Sequence, residues 1–312
     1  MPDLEEIREA SNRISPFIHN TPVLTNSSLN KLTDSELFFK CENFQRSGSF
    51  KIRGATNTVL QLTSQELDRG VVTASSGNHG AALSMAVSRL GAKSKVVMPK
   101  NTPRVKVDNV KRNGGEIIWC ESNQASRDKV LNNILQQTAY TLVHPYNDIR
   151  IIEGQGTVAL ELLEEYSDLD IIISPVSGGG LLSGILCAAK AINKKIKIYG
   201  AEPIEADDTY RSIRKGEIQI NKTTNTICDG LRAQIGTITF PIIKEKVDGI
   251  ITVEEKEIVD AMGMIWERLK IIIEPSCSIT LAAVLKNKEI FQYKKVGLIL
   301  SGGNVDINHL PW

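Results

Sequence analysis

The sequence predicts an α/β protein of two lobes, each a mostly parallel twisted sheet flanked by helices, with a ligand cleft between them. Three observations carry this expectation. Short runs rich in valine and isoleucine alternate with alanine- and leucine-rich helical stretches, an order that implies parallel strands covered by helices. Serine- and glycine-rich turns stand at strand-to-helix junctions, where backbone N–H groups are free to meet a ligand. No flexible linker or internal repeat separates the halves, so the lobes lie close enough to share a cleft.

Taken in order, Leu4, Ile7 and Ile14 among charged residues predict an opening amphipathic helix, and Thr21–Leu24 and Glu36–Cys41 read as strands. Polar and glycine residues then lead to Ser49-Phe50-Lys51-Ile52-Arg53-Gly54, with a helix expected from Ile52 to Leu62. Strands are expected at Gly70–Ser75, Lys95–Pro99, Glu116–Cys120 and Thr141–His144. Helices at Gly80–Leu90, Pro103–Arg112 and Ala125–Tyr140 fill the spaces between them. The alternation resumes with a helix at Thr157–Glu165, a strand at Asp170–Val176, a helix at Leu181–Ile192 and a strand at Ile196–Ala201. Residues 216–248 are more polar and read as loops. Strand Ile250–Val253, helices Glu254–Leu269 and Ile279–Leu285, and strand Val296–Leu300 complete the pattern.

Composition narrows the function classes. With 312 residues, 41% hydrophobic and 23% charged, the chain is long enough for two domains with sizeable cores. A net charge of +1 gives no reason to expect nucleic acid or an anionic membrane as partner. No apolar run approaches the ~20 residues that span a bilayer, and the polar start, Met1-Pro2-Asp3-Leu4-Glu5-Glu6, lacks a signal-peptide core. The cysteines (Cys41, Cys120, Cys187, Cys228, Cys277) are scattered, with no Cys-x-x-Cys pair, which favours a reduced, cytoplasmic setting.

Five stretches carry candidate chemistry. Lys51 sits where a helix starts, near the positive end of the helix dipole, which disfavours its charged form; burial would lower its pKa further, as Schiff-base chemistry requires. The ordinary alternative is a surface lysine. Ser177-Gly178-Gly179-Gly180-Leu181 joins a strand to a helix and lets the backbone approach a phosphate. It does not fit G-x-G-x-x-G, because Ser183 replaces the third glycine, and a tight turn is the plainer reading. Ser75-Ser76-Gly77-Asn78-His79-Gly80 can hold a carboxylate or donate to a phenolic oxygen, and Ser76 has a hydroxyl that can exchange a proton; alternatively Ser76 or Asn78 only caps the next helix. Glu202, Glu205, Asp207 and Asp208 are oxygen donors suited to Mg²⁺ or Ca²⁺, or else a solvated acidic turn. Ser301-Gly302-Gly303-Asn304 ends the last strand, where glycines leave room for a ring and Ser301 offers a neutral hydrogen bond.

Together these stretches, with Gly154-Gln155-Gly156-Thr157, occur in the order found in pyridoxal-phosphate enzymes of the tryptophan synthase β fold, and the chain resembles the serine racemase and serine/threonine dehydratase group. The resemblance implies pyridoxal 5'-phosphate in the cleft of a large domain (1–65 and 148–312) and a small inserted domain (66–147). It implies Lys51 as the Schiff-base lysine with Phe50 beside the ring, Asn78 on the phenolic oxygen, Ser177, Gly178, Gly179, Gly180 and Leu181 as the phosphate loop, and Ser301 on the pyridine nitrogen. Lys51 and Ser76 are the implied acid–base pair on opposite faces of the substrate, and Ser75, Ser76, Gly77, Asn78, His79, Arg127 and Gln234 the implied substrate contacts. Glu202, the Ala206 carbonyl and Asp208 match a divalent-metal site for Mg²⁺ (or Ca²⁺ or Mn²⁺). The implied activity is a homodimeric enzyme that racemises serine and eliminates its hydroxyl, releasing a 2-oxo acid and ammonia. A dehydratase of threo-3-hydroxyaspartate or of threonine is the alternative. A chain that ends at Trp312 is expected to lack the regulatory domain of biosynthetic threonine dehydratases.

Overall fold

A computed structural model describes residues 1–75, 77–221 and 223–312. Helix α1 (Leu4–Ile14) buries Ile7, Ala10 and Ile14, and its first turn is closed by a reciprocal cap between Asp3 and Glu6. Strand β1 (Val23–Leu24), helix α2 (Ser27–Thr33) and strand β2 (Glu36–Cys41) lead to the lysine loop and helix α3 (Lys51–Val59). A run of short units follows: α4 (Ser64–Arg69), β3 (Val71–Ala74), α5 (Asn78–Ser88), β4 (Ser94–Pro99), α6 (Arg104–Arg112), β5 (Glu116–Cys120), α7 (Gln124–Gln137) and β6 (Thr141–Leu142). Their strands form a four-stranded, all-parallel sheet in the order β5-β4-β3-β6.

The chain then continues through α8 (Ile149–Glu165), β7 (Ile171–Pro175), α9 (Gly180–Ile192), β8 (Lys197–Pro203) and α10 (Asp208–Lys215). It ends with α11 (Thr239–Lys246), β9 (Gly249–Val253), α12 (Glu255–Leu269), α13 (Pro275–Lys286), α14 (Lys288–Phe291) and β10 (Lys295–Leu300). These strands join the first two in a six-stranded sheet, β1-β2-β10-β7-β8-β9, in which only the edge strand β1 runs antiparallel to its neighbour. Both faces are covered, as a parallel sheet requires. Leu37, Phe39, Ile173 and Leu298 pack with Leu281 of α13 and Met262 of α12 on one face. Phe38, Ile172, Ile198 and Ile299 pack with Val158 of α8 and Leu182 and Ile185 of α9 on the other.

Helix α8 begins eight residues before the expected Thr157, and its first half contains Gly154, Gln155 and Gly156. Low helix propensity hid this half, and packing supplies the reason for the glycines. A Cβ on Gly154 would stand 2.6 Å from the Gly54 Cα, so α3 and α8 cross with no side chain between their backbones. Helix α3 itself starts on Lys51 and ends at Val59, earlier than expected at both ends. Helices α10 and α11 replace segments read as an acidic turn and loops; Pro241 in the first turn of α11 costs no helical hydrogen bond there.

A buried ion cluster fixes α3 from behind. All five Arg53 N–H groups find acceptors: Glu42 through Nε (2.7 Å) and Nη2 (2.8 Å), Glu161 through Nη1 and Nη2 (2.7 Å each), and Thr157 Oγ1 through Nη1 (3.1 Å). Lys40 adds a second cation on Glu161 at 2.6 Å, so two positive and two negative charges balance inside the protein. No helix among the described residues is long and apolar enough to cross a membrane. All five cysteines are buried free thiols.

Candidate active site

Loops distant in sequence meet at the carboxyl ends of the strands, the side where open parallel sheets bind ligands. The lysine loop is joined to the end of β10. The Phe50 N–H donates to the Ser301 carbonyl (3.0 Å), the Gly303 N–H donates to the Gly48 carbonyl (2.9 Å), and Ser49 forms an isolated bridge with Gly302. Lys51 is half-buried, its ammonium donates to the Pro145 carbonyl at 2.9 Å, and it lies 5.1 Å from the centre of the Phe50 ring. Burial lowers its pKa to about 8, with the Glu274 carboxylate pulling the other way.

Ser177 to Gly180 turn the chain from β7 into α9. Gly179 has φ +90°, and a Cβ there would also meet Thr239 Oγ1 at 2.7 Å, so only glycine fits. The free N–H groups at the start of this 13-residue helix make an anion site. Around them, Thr239 Oγ1 donates to the Gly178 carbonyl at 2.7 Å, and Ser177 Oγ both donates to the Ala233 carbonyl and accepts the Ala233 N–H at 3.0 Å. Leu181 is buried beneath the turn. The Tyr146 ring lies on Gly178, so Pro145 and Tyr146 connect the lysine to the glycine turn.

Ser75 Oγ accepts the N–H groups of Gly77 (3.2 Å) and Gly80 (3.1 Å), a duty the sequence suggested for Ser76 or Asn78. Ser76 lies outside the described residues. Asn78 is thereby released for other partners: its Nδ2 donates to Glu274 Oε1 at 2.8 Å and its Oδ1 accepts from Asn304 Nδ2 at 3.0 Å. His79 is buried with its Nε2 3.3 Å from the Val143 carbonyl; burial and the Lys51 charge push its pKa down to about 3, so its ring is neutral. Ser301 is buried, with Oγ 3.7 Å from Cys277 Sγ, and presents a hydroxyl rather than a charge.

The expected substrate residues divide. Arg127, in the first turn of α7, is close enough for its charge to act on two rings. Burial and then the Lys51 charge lower the His144 pKa to about 4 and Arg127 adds to them, whereas burial raises the Tyr146 pKa and Arg127 opposes it. Gln234 turns its amide to the Gln219 carbonyl at 3.2 Å, beside Ile235, whose N–H donates to Asp208. Of the four clustered carboxylates, Glu205 is exposed and Asp207 pairs with Arg211 at 2.7 Å. Glu202 and Asp208 are buried around Ala206 and take hydrogen bonds from the N–H groups of Thr209, Tyr210 and Ile235 and the amide of Asn221. Burial, and then the charge of Asp208, hold the Glu202 carboxyl well above its ordinary range. No group of three or more His, Cys, Asp or Glu suited to a metal occurs among the described residues, so a cation here would rest on two carboxylates and a carbonyl.

Three residues at the site carry no sequence signal. Glu274 is 3% exposed, and its Oε2 has no hydrogen-bond partner among the described residues. Lys106 is buried against Gly77 and forms an ion pair with Asp229. Tyr146 covers the glycine turn. Each stands alone in sequence, and only the fold brings it to the lysine.

A lysine with a lowered pKa, an anion site at a helix start and a buried hydroxyl at a strand end are the fittings of a phosphorylated aldehyde cofactor. The chain belongs to the pyridoxal-phosphate dependent enzymes, whose family profile matches residues 14–302. Within it, the chain is 50% identical over 313 residues to the serine racemase of Arabidopsis thaliana, covering 99% of this chain and 95% of that one. It is 44% identical over 312 residues to the beta-hydroxyaspartate dehydratase of Paracoccus denitrificans, covering 100% and 99% of the two chains. The solved structure of maize serine racemase superposes with a TM-score of 0.96 at 47% identity, over 98% of this chain and 94% of that one.

Proposed function

We propose that this protein is a pyridoxal-phosphate-dependent serine racemase and dehydratase. The observation that carries the reading is the convergence on Lys51 of the Ser177–Gly180 turn and the end of β10, with the lysine's pKa lowered to about 8. The buried, unpartnered Glu274 Oε2 and Ser49 Oγ mark a polar site that fits the cofactor. In this reading the 177–181 turn holds the phosphate, Ser301 meets the pyridine nitrogen, Asn78 meets the phenolic oxygen and Phe50 flanks the ring. The cofactor supplies an electron sink that acidifies the α-proton of a bound amino acid. Lys51, freed as an amine, takes that proton from one face, and Ser76 serves the other face, with Ser75 and Gly77 to His79 around the substrate carboxylate. A hydroxyl rather than a carboxylate at the ring nitrogen favours rapid onward passage of the proton or loss of the β-hydroxyl.

We divide the chain into a large domain (1–65 and 148–312) and an inserted small domain (66–147), a reading supported by the four-stranded sheet, whose strands all lie between Val71 and Leu142. Glu202, Asp208 and the Ala206 carbonyl would hold a divalent cation, Mg²⁺ first among them; two buried carboxylates bonded only by neutral donors fit that role. We place the enzyme in the cytoplasm as a homodimer.

A second reading, elimination from threo-3-hydroxyaspartate, has an observation of its own. Buried Lys106, which lies beside Gly77 and pairs with Asp229, offers a cationic partner that a second substrate carboxylate could share. Incubation with L-serine, L-threonine and 3-hydroxyaspartate in deuterated buffer decides between them. D-serine with α-deuterium is expected, and keto acid from hydroxyaspartate alone would favour the second reading. Ser76→Ala is expected to lose racemisation while keeping elimination from L-serine; equal loss of both would remove its face-specific role. Lys51→Ala should abolish the visible absorbance of the bound cofactor.

A further inference from the structure

The orientation of a side-chain amide is fixed by its hydrogen-bond network rather than its shape, and here the network can be followed from a group that cannot turn. The Ser47 carbonyl only accepts, and Asn304 Nδ2 donates to it at 2.8 Å. The second hydrogen of that nitrogen goes to Asn78 Oδ1 at 3.0 Å, while Asn304 Oδ1 accepts from Asn109 Nδ2 at 3.3 Å. With its oxygen occupied, Asn78 must turn its NH₂ group the other way, where Glu274 Oε1 accepts one N–H at 2.8 Å. One N–H of Asn78 remains.

We propose that Glu274 and Asn304 are positioning residues that clamp Asn78 so that an N–H, and not its C=O, faces the phenolic oxygen of the bound cofactor. The proposal rests on the pyridoxal-phosphate reading above. Glu274 is suited to the task. It is buried, it enters directly before α13, and its Oε1 would stand 2.9 Å from a Cβ on Gly302, so it lies against the backbone that follows Ser301. The Lys106 and Lys51 charges act on it against the burial that raises its pKa, which helps keep it an acceptor. An N–H donor stabilises the phenolic oxygen as an anion. A carbonyl in its place would require that oxygen to carry the proton, and the cofactor's absorption would move from the long-wavelength to the short-wavelength form.

The test uses purified holoenzyme variants, read by absorption spectrum and by cofactor affinity. Glu274→Met removes the acceptor; it should shift the spectrum toward the short-wavelength form and weaken cofactor binding about tenfold, the scale of one lost hydrogen bond in a buried site. Glu274→Gln keeps an acceptor oxygen and should restore both readings to within about twofold, although it removes the charge. An unchanged spectrum in Glu274→Met overturns the proposal, and so does a Gln variant as impaired as the Met variant, which would mean that charge and not orientation matters. Should Glu274→Met fail to fold, Asn304→Asp probes the other jaw. It replaces the donor on Asn78 Oδ1 by an acceptor and should produce the same shift, whereas a wild-type spectrum overturns the clamp. Survival of the cofactor band in Lys51→Ala would instead sink the assignment of Lys51, and absence of any cofactor band in the wild-type protein would sink the cofactor reading on which the proposal rests.

Discussion

Lys51 and Arg53 stand two residues apart on one helix and occupy opposite electrostatic surroundings. Arg53 is fully buried with every N–H accepted, inside a cluster whose charges cancel. Burial alone would pull its pKa down, yet Glu42 and Glu161 more than reverse that, so its charge is held. Lys51 has one carbonyl partner, a lowered pKa and a neighbour, Glu274, with an oxygen left unbonded. Burial therefore does not separate structural from functional charge. Satisfaction does: the completed network anchors the helix, and the incomplete one waits for a ligand.

This contrast can be broken first at the arginine. Arg53→Met strands Glu42 without a cation and leaves Glu161 with Lys40 alone, and should cost about 3–5 kcal/mol in urea unfolding of the apoprotein. Lys51→Met should leave the apoprotein at least as stable as before, because it removes an amine whose burial is unfavourable. Equal losses in the two variants would erase the distinction.

A second comparison concerns the buried acidic pair Glu202 and Asp208, whose four oxygens each accept a hydrogen bond from a neutral N–H donor. Chelation of divalent metal should lower Tm by roughly 5 °C, for a cation present near 100 times its Kd. Asp208→Asn should abolish that response, and an unaltered response would place the cation elsewhere.

The smallest effect is a matter of pH. Lys51 attacks only as the neutral amine, so capture of pyridoxal phosphate by the apoprotein should rise with pH through about 8. The sign follows from linkage: a lysine whose folded value lies below its ordinary 10.5 costs stability below about 8, and the cost fades as pH climbs between the two values. A midpoint near 10.5 would show an amine that the fold leaves unperturbed.

The alternation of strands and helices and the main turns were legible in sequence because apolar runs bounded by glycine and serine signal both period and punctuation. Ser177–Leu181 and Ser301 sit at junctions that composition alone exposes. The first half of α8 was hidden, because Gly154 and Gly156 read as breaks until the crossing with α3 explains them. The bonds that Ser75 Oγ accepts from the Gly77 and Gly80 N–H groups were not foreseen, because propensity does not resolve neighbouring serines. Glu274, Lys106 and Tyr146 could not be singled out, since a lone charge or ring acquires meaning only from what lies across the fold.

The bridge between Ser49 and Gly302 has a consequence for biosynthesis. The lysine loop emerges early from the ribosome, but the strand end that seats it emerges among the last residues. Partners this remote in sequence impose slow, late closure, and domains fold vectorially as the chain appears. The small sheet, made wholly from residues 71–142, can form while its other half is still being synthesised. The site cannot. Cofactor capture therefore reports completion of the chain, and a truncated product that lacks β10 would carry the reactive lysine without a place to use it.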